Sequence, residues 1–230
     1  SKTILHVHKD DKTFLWEPFS NKYEGVYAIK RNLYKNNYGN KLIFEEVNED
    51  LGITFQYQWN TSTKFGFVKK STVQNNTTAA VEVTILDGIQ NILPYGIASD
   101  FQNSTSNLID AYKKCELEKD TGLGIFALSA VIVDKAEPSE ALKANTVWST
   151  LNAFRKGEEV HQEEDIKAEK GAYFTVQDLT LAPNNPISWM LVANVNQNLI
   201  SIQETKEIIT NTPDVTALLQ EDIEIGTAKL

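Results

Sequence analysis

The sequence predicts a mainly β fold, an antiparallel sandwich ending in short C-terminal helices, on three observations. Ile53, Phe55, Tyr57 and Trp59 alternate with Thr54, Gln56, Gln58 and Asn60, which puts large apolar side chains on one sheet face and polar ones on the other. Turn chemistry at Asn60-Thr61-Ser62-Thr63 and Asn75-Asn76-Thr77-Thr78 separates such segments at hairpin spacing, favouring antiparallel neighbours over parallel βαβ units. After Asn198 the apolar period of two gives way to helical spacing at Leu199, Ile202, Ile208 and Ile209.

Taken in order, strands are expected over 4–8, 13–16, 25–33 and 42–47, with Asn36-Asn37-Tyr38-Gly39-Asn40 as a loop. The 53–59 strand and the one carrying Phe65 and Phe67 form a hairpin across Asn60-Thr61-Ser62-Thr63. Val81, Val83 and Ile85 then alternate with Glu82 and Thr84, and Asp87-Gly88 reads as a turn at that strand's end. Long strands follow over 107–117 and 124–133, and another over 140–151 with Ala144, Thr146 and Trp148 on one face. The charged stretch 155–171 lacks a period and reads as a mobile loop. Strands over 173–181 and 188–195 close the β part around Ala182-Pro183-Asn184-Asn185-Pro186. A second helix is expected from Thr212, with Pro213 at its first position and Asp214 in its first turn. The division is thus a sandwich domain over 1–197 and a helical exit segment over 198–230.

Composition narrows the function. With 230 residues, 41% hydrophobic and 23% charged, the chain has the make-up of a folded globular domain able to bury a sizeable core. A net charge of −9 and the lack of a basic stripe argue against nucleic acid, whose phosphates need clustered Lys and Arg. No apolar run approaches the roughly 20 residues of a bilayer span, so no membrane partner is expected. Cys115 is the single cysteine, which excludes an internal disulfide and Cys-rich metal sites; it reads as a buried, inert thiol. No signal peptide is visible, which favours a cytoplasmic setting. A chain opening on Ser1-Lys2-Thr3, with Met190 its only methionine, is expected to be cut from something longer.

Candidate chemistry is sparse. His6 and His8 lie two apart and share a face, but without an obvious third ligand they read as an exposed pair on an edge strand. His161 sits among Glu158, Glu159, Glu163, Glu164 and Asp165, an acidic loop without the glycine-bearing turn of a calcium site. No metal and no cofactor are expected. Glycoside cleavage needs two carboxylates about 5–10 Å apart. Asp87, Asp110, Asp134 and Glu137 flank the most distinctive region, yet each fits a turn or connection equally well. Trp16, Tyr95, Tyr112, Trp148 and Trp189 could stack on sugar C–H faces, although Trp59 and Trp148 suit inward strand positions as core. Tyr95, in Pro94-Tyr95-Gly96, is the most exposed of these candidates. Three Asn-x-Ser/Thr matches, at Asn60, Asn76 and Asn103, are of the kind that chance supplies in an Asn- and Thr-rich chain.

The stretch from Leu86-Asp87-Gly88-Ile89-Gln90-Asn91-Ile92-Leu93-Pro94-Tyr95-Gly96, through Ser106-Asn107-Leu108-Ile109-Asp110-Ala111-Tyr112-Lys113, to Asp134-Lys135-Ala136-Glu137-Pro138-Ser139-Glu140-Ala141-Leu142, carries a resemblance. It resembles the N-terminal region of bacterial cellobiose-phosphorylase-like proteins, kin of inverting glycoside phosphorylases and hydrolases. The resemblance covers most of the chain and is strongest over 80–150. It implies a β-supersandwich of the galactose-mutarotase-like type, followed by a helical linker and an (α/α)6 barrel that holds the catalytic carboxylate. On that basis no catalytic residue carries over to this chain. Possible sugar or domain contacts fall on Gln90, Asn91, Tyr95, Asp110 and Tyr112. The partners implied are the downstream barrel, an oligosaccharide and a second copy in a homodimer. A stand-alone carbohydrate-binding module, or a mutarotase-like epimerase using a His and a carboxylate, are the alternatives.

Overall fold

Two sheets face each other across the sequence's inward-pointing apolar positions, in a computed structural model that describes residues 1–130, 143–151 and 165–230. The elements run β1 (Lys2–Lys9), β2 (Lys12–Trp16), β3 (Ile29–Lys35), β4 (Leu42–Asn48), β5 (Ile53–Ser62), β6 (Gly66–Asn75) and β7 (Val81–Ile92). Helices α1 (Ser99–Ser104) and α2 (Ser106–Tyr112) come next, then β8 (Lys113–Glu118), β9 (Leu123–Leu128), β10 (Ala144–Ser149) and β11 (Asp165–Lys167). The last elements are β12 (Gly171–Leu181), β13 (Ile187–Gln197), α3 (Leu199–Asn211) and α4 (Val215–Ala228). One sheet has four strands in the order β12-β7-β1-β2; the other has nine, β11-β8-β9-β10-β13-β6-β5-β4-β3. Every strand pairing within the sheets is antiparallel, as expected of a mainly β sandwich.

The core follows from strand parity. Ile53 and Phe55 of β5 meet Leu5, Val7, Val83, Ile85, Trp16 and Trp189 in one cluster between the sheets. Farther along, Phe126, Val147, Tyr173 and Leu191 form a second inter-sheet cluster. The outer face of the nine-stranded sheet carries apolar side chains of its own, and the terminal helices cover them. Leu219 and Ile223 of α4 are buried against Phe65, Val68, Trp148, Met190 and Val192. Trp148 is therefore core, but it faces the helices rather than the four-stranded sheet.

Several expectations are corrected. The 107–117 segment is not one strand: Ile109, fully buried beside Ile97 and Leu128, and Tyr112 lie three residues apart on helix α2, and pairing begins only at Lys113. Asp87-Gly88 is not a turn but the middle of β7, where Thr3 faces Asp87 and Phe174 faces Gly88. A Cβ on Gly88 would come within 2.0 Å of the Tyr173 carbonyl, so glycine here permits close strand approach. The β5–β6 turn lies two residues later than expected: β5 runs through Ser62, whose Oγ accepts from Phe65 N at 2.9 Å. Strand β3 begins at Ile29 rather than Gly25, because a 3-10 turn at Asn21–Tyr23 and the left-handed Gly25 (φ 75°) occupy the preceding residues. Strand β1 lies between β7 and β2, so His6 and His8 are exposed on a central strand, not an edge.

At the C-terminus, Asn198 caps α3 through Ser201 N, as the change of period suggests. Helix α4 starts after Asp214, whose side chain accepts from Ala217 N, so Asp214 is the cap and Pro213 precedes it. Asp165–Lys167 pairs with β8 inside the stretch read as a loop. Residues 131–133, 134 and 137, 140–142 and the acidic cluster around His161 up to residue 164 lie outside the described residues, as does the third motif of the resemblance.

Candidate functional site

Strand β7 ends in a bulge. Ile92 pairs with Gly171 and Gln90 with Ala172, leaving Asn91 unopposed at φ 59°, a conformation asparagine tolerates better than most residues. The chain then passes through Leu93, Pro94, Tyr95 and Gly96 toward α1. A groove of about 580 Å³ opens between this segment, Asn145–Val147 of β10 and Ala193–Val195 of β13. Asn145 holds the wall in place: its Nδ2 donates to the Leu93 carbonyl at 2.8 Å and its Oδ1 accepts from Asn196 N at 3.3 Å. The floor is apolar, with Ile89, Ile97 and Val147, and the polar groups are neutral amides and a hydroxyl, from Gln90, Asn91, Asn194 and Thr146. Tyr95 is half-buried, and the Lys143 ammonium lies 5.1 Å from its ring centroid.

Gln90 also lines a second, mostly polar pocket of about 240 Å³. Its lining includes Thr3, Glu17, Phe19, Ser20, Tyr57 and Lys69. Lys69 is 1% exposed and its Nζ donates to Asp87 Oδ1 at 2.6 Å. Asp87 also accepts from Thr3 Oγ1 at 2.7 Å, Ser71 Oγ at 3.2 Å and Trp189 Nε1 at 2.7 Å. A buried carboxylate is tolerable only with such a set of donors. One side of the pocket is held by Glu46, itself buried, which accepts from Trp16 Nε1, Phe19 N and Arg31 Nε. Phe19 stands at φ 65°, an unusual conformation for an aromatic residue, with its ring edge-on to Tyr57 at 5.1 Å.

Beyond the four-stranded sheet, the inner face of the nine-stranded one continues into solvent. Trp59, opposite Lys69, is half-buried there; Phe67, opposite Ala193, is 49% exposed and Val195 50%. Groove, pocket and this strip form one surface at a single end of the inner face, with Gln90 shared between the two cavities.

Of the residues singled out from sequence, the structure brings Gln90, Asn91 and Tyr95 together. Asp110 and Tyr112 stand apart on α2. Asp110 accepts from Lys113 Nζ at 2.7 Å and from Gln102 Nε2 at 3.2 Å, and the Lys113 bond holds its carboxyl below the usual range, ionised and unsuited to proton donation. Tyr112 packs with Leu93 and Phe101 around Ile109. Trp16 and Trp189 are fully buried donors to Glu46 and Asp87, not platforms. His8 is bound by Thr13 and Thr84 hydroxyls, and no metal-binding cluster occurs among the described residues. Cys115 is half-buried and burial pushes its thiol up, disfavouring a reactive thiolate. Lys69, Glu46 and Phe19 were not singled out. Strand parity carried a signal for the first: Lys69 shares a face with Ser71 and Val73, as Asp87 does with Val83 and Ile85.

No family model matches the chain, and no curated protein matches it. Among solved structures it is similar to a polysaccharide lyase, with TM-score 0.49 and 11% identity, covering 90% of this chain and 27% of that one. It is similar also to a chain described as a kojibiose phosphorylase from the human microbiome, with TM-score 0.47 and 10% identity over 96% of this chain and 26% of the other. The third is a bacterial glucoamylase complexed with acarbose, with TM-score 0.47 and 8% identity over 96% of this chain and 30% of that one. The chain thus spans less than a third of the length of each, and the likeness is one of fold.

Proposed function

We propose that this chain is a non-catalytic β-supersandwich domain of a carbohydrate-processing enzyme of the glycoside phosphorylase or hydrolase kind. In this reading its inner-face end supports an (α/α)6 catalytic barrel of the same polypeptide and shapes one rim of the substrate site. The observation that carries the reading is the groove's lining: apolar floor, neutral amides and Tyr95, at the end of an open inner face. Amides hydrogen-bond hydroxyls and apolar walls take sugar C–H faces, whereas cleavage of a glycosidic bond needs a pair of carboxylates across it. The motif run from Leu86 to Gly96, which builds the groove, supports the same assignment.

Incubated with α- and β-linked disaccharides, with and without phosphate, the purified chain should release neither sugar phosphate nor reducing sugar on chromatography. Sustained turnover would overturn the reading. The exposed Phe67 beside half-buried Trp59 favours a second reading, a stand-alone carbohydrate-binding module, in which oligosaccharide affinity is the whole function. Oligosaccharide binding by calorimetry in a full-length polypeptide that turns over no glycoside would select it.

A further inference from the structure

We infer that the pocket over Lys69 is a subsite for a single neutral sugar residue, whose neighbours continue past Gln90 into the groove. The inference deepens the proposed function and rests on it for the ligand class.

Charge selects the ligand. The Lys69 ammonium and Asp87 carboxylate, 1% and 0% exposed in their side chains, neutralise each other at 2.6 Å. On the rim, Glu17 pairs with Lys2 at 3.3 Å. Among the lining side chains the charges are thus paired and favour a neutral ligand over an anion or cation. Asp87 and Thr3 accept two of the three Lys69 N–H bonds, at 2.6 and 3.4 Å; among the described residues no oxygen accepts the third. The ammonium also lies 5.6 Å from the Tyr57 ring centroid, a weaker partner than an oxygen, so a ligand hydroxyl or water that met the remaining N–H would be favoured. The volume, about 240 Å³, suits one pyranose ring, and half-buried Phe19 and Tyr57 supply the pocket's small apolar part.

Backbone geometry supports a built site. Phe19 is held at φ 65° by the hydrogen bond from its N–H to Glu46 and by edge contacts with Tyr57 and Phe55. Such conformations persist where surrounding structure over-determines them, and they gather at ligand clamps. Gln90 stands exposed where the two cavities meet, positioned to bridge adjacent sugar residues.

The test is a titration of the ¹⁵N-labelled chain with glucose, cellobiose, maltose and inorganic phosphate. A sugar should shift the Thr3, Phe19 and Tyr57 amides with affinity on the order of millimolar. A disaccharide should shift Asn91 in the groove as well. Gln90→Ala, at an exposed position that leaves the fold intact, should weaken disaccharide binding about fivefold, the worth of one hydrogen bond, and weaken the monosaccharide less. Lack of shifts with every sugar, shifts from phosphate alone, or shifts confined to other surfaces would each overturn the subsite. None of these outcomes touches the domain assignment, which turnover by the chain would overturn instead.

Discussion

Lys69 and Asp87 occupy inward positions of β6 and β7 that alternation reserves for apolar side chains, and each is tolerable only because the other is there. Removing the ammonium strands a carboxylate that keeps three neutral donors but loses its counter-charge. Lys69→Met should therefore destabilise the chain by about 3–5 kcal/mol, read as a lower urea midpoint with an unchanged slope. A loss below about 1 kcal/mol would mean that Asp87 is not held as a buried ion. At this scale the sequence was only partly legible. Gln90, Asn91 and Tyr95 could be found because they sit in a distinctive run at a strand's end. The network behind them could not be assembled, since Thr3, Lys69, Asp87 and Trp189 come from four separated strands whose register no local pattern reveals. The setting of Asp110 was hidden for a related reason: its ion-pair partner Lys113 lies three residues on, in a segment taken for strand.

Elements were most legible where one period dominates. β5 alternates cleanly at its start, and Ile53 and Phe55 are buried as that pattern requires. By Asn60 and Ser62 the opposite parity is the buried one, because α4 covers the outer face there: Ser62 Oγ donates to Asp222, and Lys41 Nζ donates to Glu224 at 2.7 Å. Tertiary cover thus overrides a two-residue pattern, and the expected turn was displaced with it. The short helix α2 was missed because two apolar positions three apart fit a strand with an irregularity as well as a single helical pair. The C-terminal helices raise a sharper question, whether 198–230 is an exit segment or part of the sandwich. Leu219 is fully buried against the outer sheet face, so Leu219→Ala should cost about 2–5 kcal/mol in a single cooperative denaturation. A separate, earlier transition for the helices would show instead that they dock loosely and form a unit apart from the sandwich.

For the whole molecule, the asymmetry of the two sheets matters more than any side chain. Nine strands cannot be covered by four, so the inner face is left partly open, while α3 and α4 complete the outer one. The open end gathers the bulge at Asn91, the amide-lined groove, the Lys69 pocket and the exposed Phe67 and Val195. Alternation and turn spacing were enough to predict the two-layer antiparallel architecture. They could not predict its unequal widths, because the number of strands per sheet follows from long-range pairing. In the proposed function this open end faces the catalytic part of an enzyme while the helix-covered face stays structural. Amide hydrogen exchange, compared between this chain alone and a longer polypeptide carrying the proposed barrel, is the decisive measurement. Added protection at Gln90–Ala98, Trp59, Phe67 and Val195 is expected in the longer protein, whereas protection confined to α3 and α4 would overturn the proposed orientation.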